Sequence, residues 1–142
     1  MSLERYRTPG PIVMRNAVVL TVTMLTTLIV LRVWLQVSPD SDFDVAGSNI
    51  HHLFSGLALI VLGGVPLAVF RGYTRRLQVA LVVFGVGLAM ALDEWVYLIA
   101  TDGSNASYLL PVSFWGAVFA VGAAVAYTVA LTVYRAGRRG SS

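Results

Sequence analysis

A few ionisable side chains interrupt the apolar stretches of this chain, and their types and spacing define what chemistry it could hold. Asp93 and Glu94 stand side by side in Ala-Met-Ala-Leu-Asp-Glu-Trp-Val-Tyr, residues 89–97. His51 and His52 open a second apolar run, and Arg32 interrupts a third. A carboxylate in hydrocarbon is costly and faces a partner rather than lipid. Three kinds of chemistry fit the set. Arg32 can pair with Asp93 or Glu94 in a structural ion pair, because a buried charge needs a counter-charge. His51, His52, Asp93 and Glu94 offer nitrogen and oxygen ligands to a divalent metal such as Zn²⁺, Fe²⁺ or Mn²⁺, the candidate cofactor here. Two carboxylates against one Arg leave a net negative charge that would attract such an ion. Finally, His52 with Asp93 or Glu94 can act as a catalytic general acid and base, if burial separates their proton affinities.

Other chemistries are excluded. The chain has no Cys, so disulfides, thiolate metal sites and cysteine nucleophiles are absent. It lacks Gly-x-Ser-x-Gly, His-Glu-x-x-His, a phosphate-binding glycine loop and a dinucleotide fingerprint. No Glu-x-x-His pair of the di-iron bundles occurs, and Arg32 would compete with a cation. The only two histidines are adjacent, which disfavours a haem held by both.

The elements that must position these groups are membrane spans. Of 142 residues, 57% are hydrophobic and 12% charged, with a mean hydropathy of +0.77. Soluble domains carry roughly a quarter charged residues. The spacing predicts spans over about 12–37, 50–70, 77–100 and 108–134, which use the whole length as one integral membrane domain. The first is too long for a signal-peptide core and lacks a small-residue cleavage site, so it is expected to be retained. Residues 38–49 read as an acidic loop without the ordered spacing of a calcium site, and Ser48 or Asn49 could cap the next helix. Gly63-Gly64 followed by Pro66 suggests a flexible or kinked point. Residues 101–107 read as a turn-forming loop, in which Asn105-Ala106-Ser107 matches a glycosylation acceptor only in form. Pro111 fits the first turn of the fourth span.

All ten basic residues are Arg, with a formal net charge of +3 and a pI near 9.7. They cluster at span ends, which argues against nucleic acid as a partner and for membrane orientation. Arg5, Arg7 and Arg15, then Arg71, Arg75 and Arg76, then Arg135, Arg138 and Arg139 fall on one side of an even number of spans. Asp40, Asp42, Asp44 and Asp102 fall on the other. The expected architecture is an all-α four-helix transmembrane bundle in the cell (plasma) membrane, with both termini cytoplasmic. Small residues at four-residue spacing, Gly85/Ala89, Gly87/Ala91, Gly116/Ala120/Ala124 and Gly122/Ala126/Ala130, suit close helix packing within the bundle or, alternatively, a homo-oligomer seam. Trp34, Trp95, Trp115 and Tyr108 sit where interfacial aromatics are expected.

Counting 1.5 Å per residue from the basic ends puts Arg32 and Asp93 at ~25 Å and His52 at ~28 Å, one common layer near the outer face. Glu94, His51, Trp115 and Gln36 fall between ~27 and ~32 Å by the same count. Successive helical residues point about 100° apart. One of Asp93 and Glu94, and one of His51 and His52, is therefore expected at the centre, with its neighbour at a helix interface or in contact with the central groups from behind. Ser55 follows the histidines by one turn, and Tyr97 follows Asp93 by one turn.

At Ile50-His51-His52 followed by Gly56, and at Leu92-Asp93-Glu94-Trp95, the chain resembles an uncharacterised group of small prokaryotic four-span membrane proteins, over roughly residues 49–97. That group carries His-x-His-His at the start of one span and Leu-Asp-Glu-aromatic near the end of the next; Asn49 stands where its first histidine would be. The resemblance implies no activity. The expectation for function is a pocket of Arg32, Gln36, His51, His52, Ser55, Asp93, Glu94 and Tyr97 that faces outward. It would bind or act on a lipid, a small molecule or a metal ion. The alternative is a non-enzymatic accessory or structural subunit in which Arg32 and Asp93 or Glu94 fix helix register.

Overall fold

The computed structural model describes residues 10–37, 44–45, 48–49, 52–102 and 105–140. Helix α1 spans Gly10–Val37, α2 His52–Val69, α3 Arg75–Ala100, α4 Asn105–Tyr108 and α5 Pro111–Gly140. Between α1 and α2, β1 (Asp44–Val45) and β2 (Ser48–Asn49) pair antiparallel, with Asp44 opposite Asn49 and Val45 opposite Ser48. The expected acidic loop therefore contains a minimal hairpin. Ser48 and Asn49 belong to it and stand too early to cap a helix beginning at His52.

The fold is an all-α four-helix bundle, and α1, α2, α3 and α5 are each long and apolar enough to cross a membrane. Even α2, the shortest at 18 residues, rises ~27 Å, close to the ~30 Å of a bilayer's hydrocarbon. Large apolar residues on the outward faces stay exposed, among them Ile29, Val61, Leu62 and Phe119. Without water on those faces, helix is the conformation that satisfies every backbone group within its own segment.

Helix α3 is the hub. Of its most apolar stretch 44% is buried, against 6% for α1. It packs on α1, α2 and α5; α1 also touches α5, whereas α2 makes no comparable contact with either. Met24 and Leu28 of α1, Ala89 of α3 and Ala117 and Val121 of α5 form the buried core of the three-helix side. Small side chains on α3 let its neighbours approach on several faces at once, as the Gly85/Ala89 and Gly87/Ala91 spacings anticipate.

The α2–α3 seam is nearly backbone on backbone. A Cβ at Gly87 would stand 2.6 Å from the carbonyl oxygen of Gly56 and 2.7 Å from the nitrogen of Ile60. At Gly63 it would stand 2.5 Å from the Ala80 carbonyl oxygen. Gly63 is thus a packing residue, and α2 continues as one helix through Gly63, Gly64 and Pro66. The turn into α3 uses Gly72 at φ +106°, a conformation that side chains resist. Thr74 then caps α3 by accepting a hydrogen bond from the Leu77 amide. The basic end is tied together by Arg15, whose guanidinium lies 3.9 Å from the Tyr73 ring centroid, and by Gln78 donating to Asn16 at 2.9 Å.

Gly87→Val should push α2 off α3, because backbone atoms cannot yield as side-chain tips can. We expect a loss of about 1–3 kcal/mol, read as a lower unfolding temperature in detergent. Gly122→Ala, with nothing within 4 Å of the added carbon, should leave stability unchanged or slightly higher. Equal effects of the two changes would refute the seam.

Candidate functional site

The polar cluster gathers where the end of α1, the start of α2, the last turns of α3 and the start of α5 meet. Arg32 projects from α1 toward α3. Its Nε donates to Asp93 Oδ1 at 2.8 Å, and Nη2 lies 2.7 Å from the same oxygen. The guanidinium also reaches α5, with Nη2 donating to the Ser113 carbonyl oxygen at 3.2 Å and Nη1 to Ser113 Oγ at 3.4 Å. The second oxygen of Asp93 accepts the Tyr108 hydroxyl at 2.6 Å. The Asp93 side chain is wholly buried and that of Arg32 is 11% exposed. Charge-assisted bonds of this kind are about twice as strong as neutral ones.

The connection after α3 explains how Tyr108 arrives there. Thr101 returns both its backbone N–H (3.1 Å) and its hydroxyl (2.7 Å) to the Tyr97 carbonyl oxygen. Ser107 donates to Thr101 Oγ1 at 3.2 Å. These bonds fold the short helix α4 back over the bundle end, so that the Tyr108 ring packs on Tyr97 with centroids 4.3 Å apart. The Arg32 guanidinium carbon stands 5.2 Å from the Tyr108 centroid and 5.9 Å from that of Phe114. Aromatic faces thus complete the surroundings of the cation. Burial, and then the neighbouring Asp93 carboxylate, push the Tyr108 phenol well above its ordinary range. It keeps its proton and acts as a donor.

Glu94, one residue on, points to a different face of α3. Its Oε2 accepts the backbone N–H of Leu53 in the first turn of α2, and Oε1 lies 3.8 Å from His52 Nδ1. The amides at a helix start have no partner within their own helix and carry partial positive charge. A carboxylate from α3 therefore caps α2, in place of the local cap expected from the preceding loop.

The expected single pocket is accordingly divided. Arg32, Asp93 and Tyr97 share one neighbourhood; His52 and Glu94 meet on another face, with the partly buried Ser55 one turn further along α2. The physical reason is the 100° step between Asp93 and Glu94, which aims one carboxylate at Arg32 of α1 and Tyr108 of α4 and the other at α2. Asp93 lies where α3 meets Arg32 of α1 and Tyr108 of α4, and Glu94 lies at the α2–α3 interface, both buried. Gln36 is exposed and lines a shallow cleft of about 350 Å³ with Arg32, Tyr108 and Trp115. His51 lies outside the described residues. Among the described residues no three of His, Asp and Glu converge as a metal shell would require. Trp34, Trp95 and Trp115 are exposed, whereas Tyr108 turns inward.

Tyr108 and Ser113 were not legible as site residues. A tyrosine after a polar loop looks like an interfacial anchor, and a serine near a helix start looks like a small packing residue. Their roles follow from the fold of α4 and the start of α5 alone.

Fold and site together define a multi-pass helical membrane protein cross-linked internally by charged hydrogen bonds. No protein-family model, no curated protein and no solved structure matches the chain.

Tyr108→Phe should cost about 1.5–3 kcal/mol, the value of a hydrogen bond to a charged group. The pH dependence provides a second check. The unfolded chain releases the tyrosine proton from about pH 10.0 upward while the native state holds it. Stability should therefore fall as pH rises beyond that point, by up to about 1.4 kcal/mol per pH unit for this one proton. Tyr108→Phe should flatten that decline in a thermal-melt series; an unchanged slope would contradict the assigned bond.

Proposed function

We propose that this chain is a non-enzymatic accessory or structural component of the plasma membrane, with both termini in the cytoplasm. In this reading the polar cluster near the outer face fixes the register of its helices. The observation that supports it best is the internal saturation of the buried charges. Arg32 is engaged by Asp93 and Ser113, Asp93 by Arg32 and Tyr108, and Glu94 by the start of α2. Among the described residues, no buried side-chain nitrogen or oxygen lacks a partner. A site built to bind or activate a substrate keeps some of that capacity for the ligand, whereas a lock uses it within the chain. We place the chain, on its Ile-His-His and Leu-Asp-Glu-Trp motifs, beside the small prokaryotic four-span proteins that it resembles.

A second reading rests on the cleft beside Arg32. Its position at the end of the bundle, with Gln36 and Trp115 on its rim, suits a small molecule or lipid headgroup that would touch the exposed edge of the guanidinium. A resident metal ion has less in its favour, since the described donors, Asp93 on one face and His52 with Glu94 on another, are not gathered around one point.

A double-mutant cycle tests the lock. Arg32→Met and Asp93→Asn should each destabilise the protein by about 3–5 kcal/mol, because each leaves a buried partner uncompensated. The double change should cost clearly less than the sum, with a coupling of roughly 0.5–3 kcal/mol. Additive small effects, together with a stoichiometric small molecule that co-purifies with the parent protein and is lost on Arg32→Met, would favour the cleft instead.

A further inference from the structure

Toward the opposite end of the bundle from the ion pair, a groove of about 690 Å³ runs along the seam between α2 and α3. Its walls are apolar, with Leu59, Leu62 and Pro66 on α2, Phe70 directly after it, and Val79 and Val83 on α3. Its mouth carries Arg71, Thr74 and Arg76. We propose that this groove holds an acyl chain of an anionic phospholipid, whose phosphate sits between Arg71 and Arg76.

Three features point to that occupant. The first is depth: Leu59 to Phe70 spans ~16 Å along the helix, which matches one leaflet of a hydrocarbon core ~30 Å thick. The second is access. Because α2 packs on α3 and not comparably on α1 or α5, the groove opens sideways into the surrounding bilayer, and Leu62, Phe70 and Val79 remain exposed along it. The third is charge. Arg71, Arg75 and Arg76 fall within six residues, and no Asp or Glu occurs between Asp44 and Asp93 to offset them. Basic pockets between transmembrane helices at the headgroup level recognise acidic lipids in this way. Another apolar cleft at this end, about 520 Å³ between α1, α3 and α5, carries one arginine, Arg135, at its rim. It therefore serves as an internal comparison.

Native mass spectrometry of the full chain, exchanged from detergent against phosphatidylglycerol or phosphatidylcholine of the same acyl composition, tests the proposal. One phosphatidylglycerol per chain should be retained under conditions that strip phosphatidylcholine. Arg71→Gln with Arg76→Gln should weaken retention roughly 25-fold, a factor of about five per arginine at the headgroup level. Arg71→Gln alone should move it in the same direction by about fivefold, which keeps the test decisive if the double variant fails to fold. Val79→Trp should expel the lipid by filling the groove without altering charge. Arg135→Gln with Arg138→Gln, which removes the same charge elsewhere, should leave retention intact. An equal loss with that control pair would reduce the effect to diffuse attraction and overturn the proposal. So would equal retention of phosphatidylcholine, or a dimer that Val79→Trp dissociates while bound lipid is unaffected, since a second copy would then occupy the groove.

Discussion

A guanidinium and a carboxylate held together away from water, Arg32 and Asp93, constrain the rest of this structure. In apolar surroundings neither charge can be left alone, and their attraction is screened far less than at a protein surface. The pair is satisfied only if α1, α3 and α5 stop at matching heights and α4 folds back to deliver Tyr108. Geometry that looks like loop detail, such as the bonds of Thr101 to Tyr97 and of Ser107 to Thr101, is therefore part of the same constraint.

Glu94 extends it to the one helix that the pair does not reach. Helix α2 has α3 as its main neighbour, and two features hold it there. Along its length, glycines on both helices bring the backbones into contact, where dispersion accumulates over many atoms. At its start, the Glu94 carboxylate meets amides that a helix cannot satisfy by itself. The first favours close approach but tolerates sliding; the second sets the height. A directional contact and a non-directional one together specify a position that neither would specify singly.

The division of the Asp-Glu pair bears on what the protein can do. Two carboxylates aimed at one point would make a metal shell or an acid–base site. The same two aimed 100° apart become ties to two different sets of helices, each using acceptor oxygens that a ligand would otherwise take. The arginine-rimmed groove between α2 and α3 shares no residue with these ties, whereas the shallow cleft beside Gln36 and Trp115 borders one of them through Arg32 and Tyr108.

Much of this architecture was legible in the residues. Four long apolar runs, arginines at one set of ends and aspartates at the other determine the number of spans and which ends lie together, because hydrocarbon length and backbone saturation leave helices as the economical answer. Counting residues from the arginines also put Arg32 and Asp93 in one layer, since helical rise is nearly constant. Rotation about each helix axis was a different matter. Which face of α3 meets which neighbour, whether Asp93 and Glu94 share a partner, and that Tyr108 turns inward while Trp115 stays outward all depend on how helices pack around one another. In an all-apolar span, lipid-facing and core-facing residues are chemically alike, so periodicity carries little of that information. Height followed from sequence and azimuth from tertiary packing, because rise belongs to the single helix whereas facing belongs to the pair.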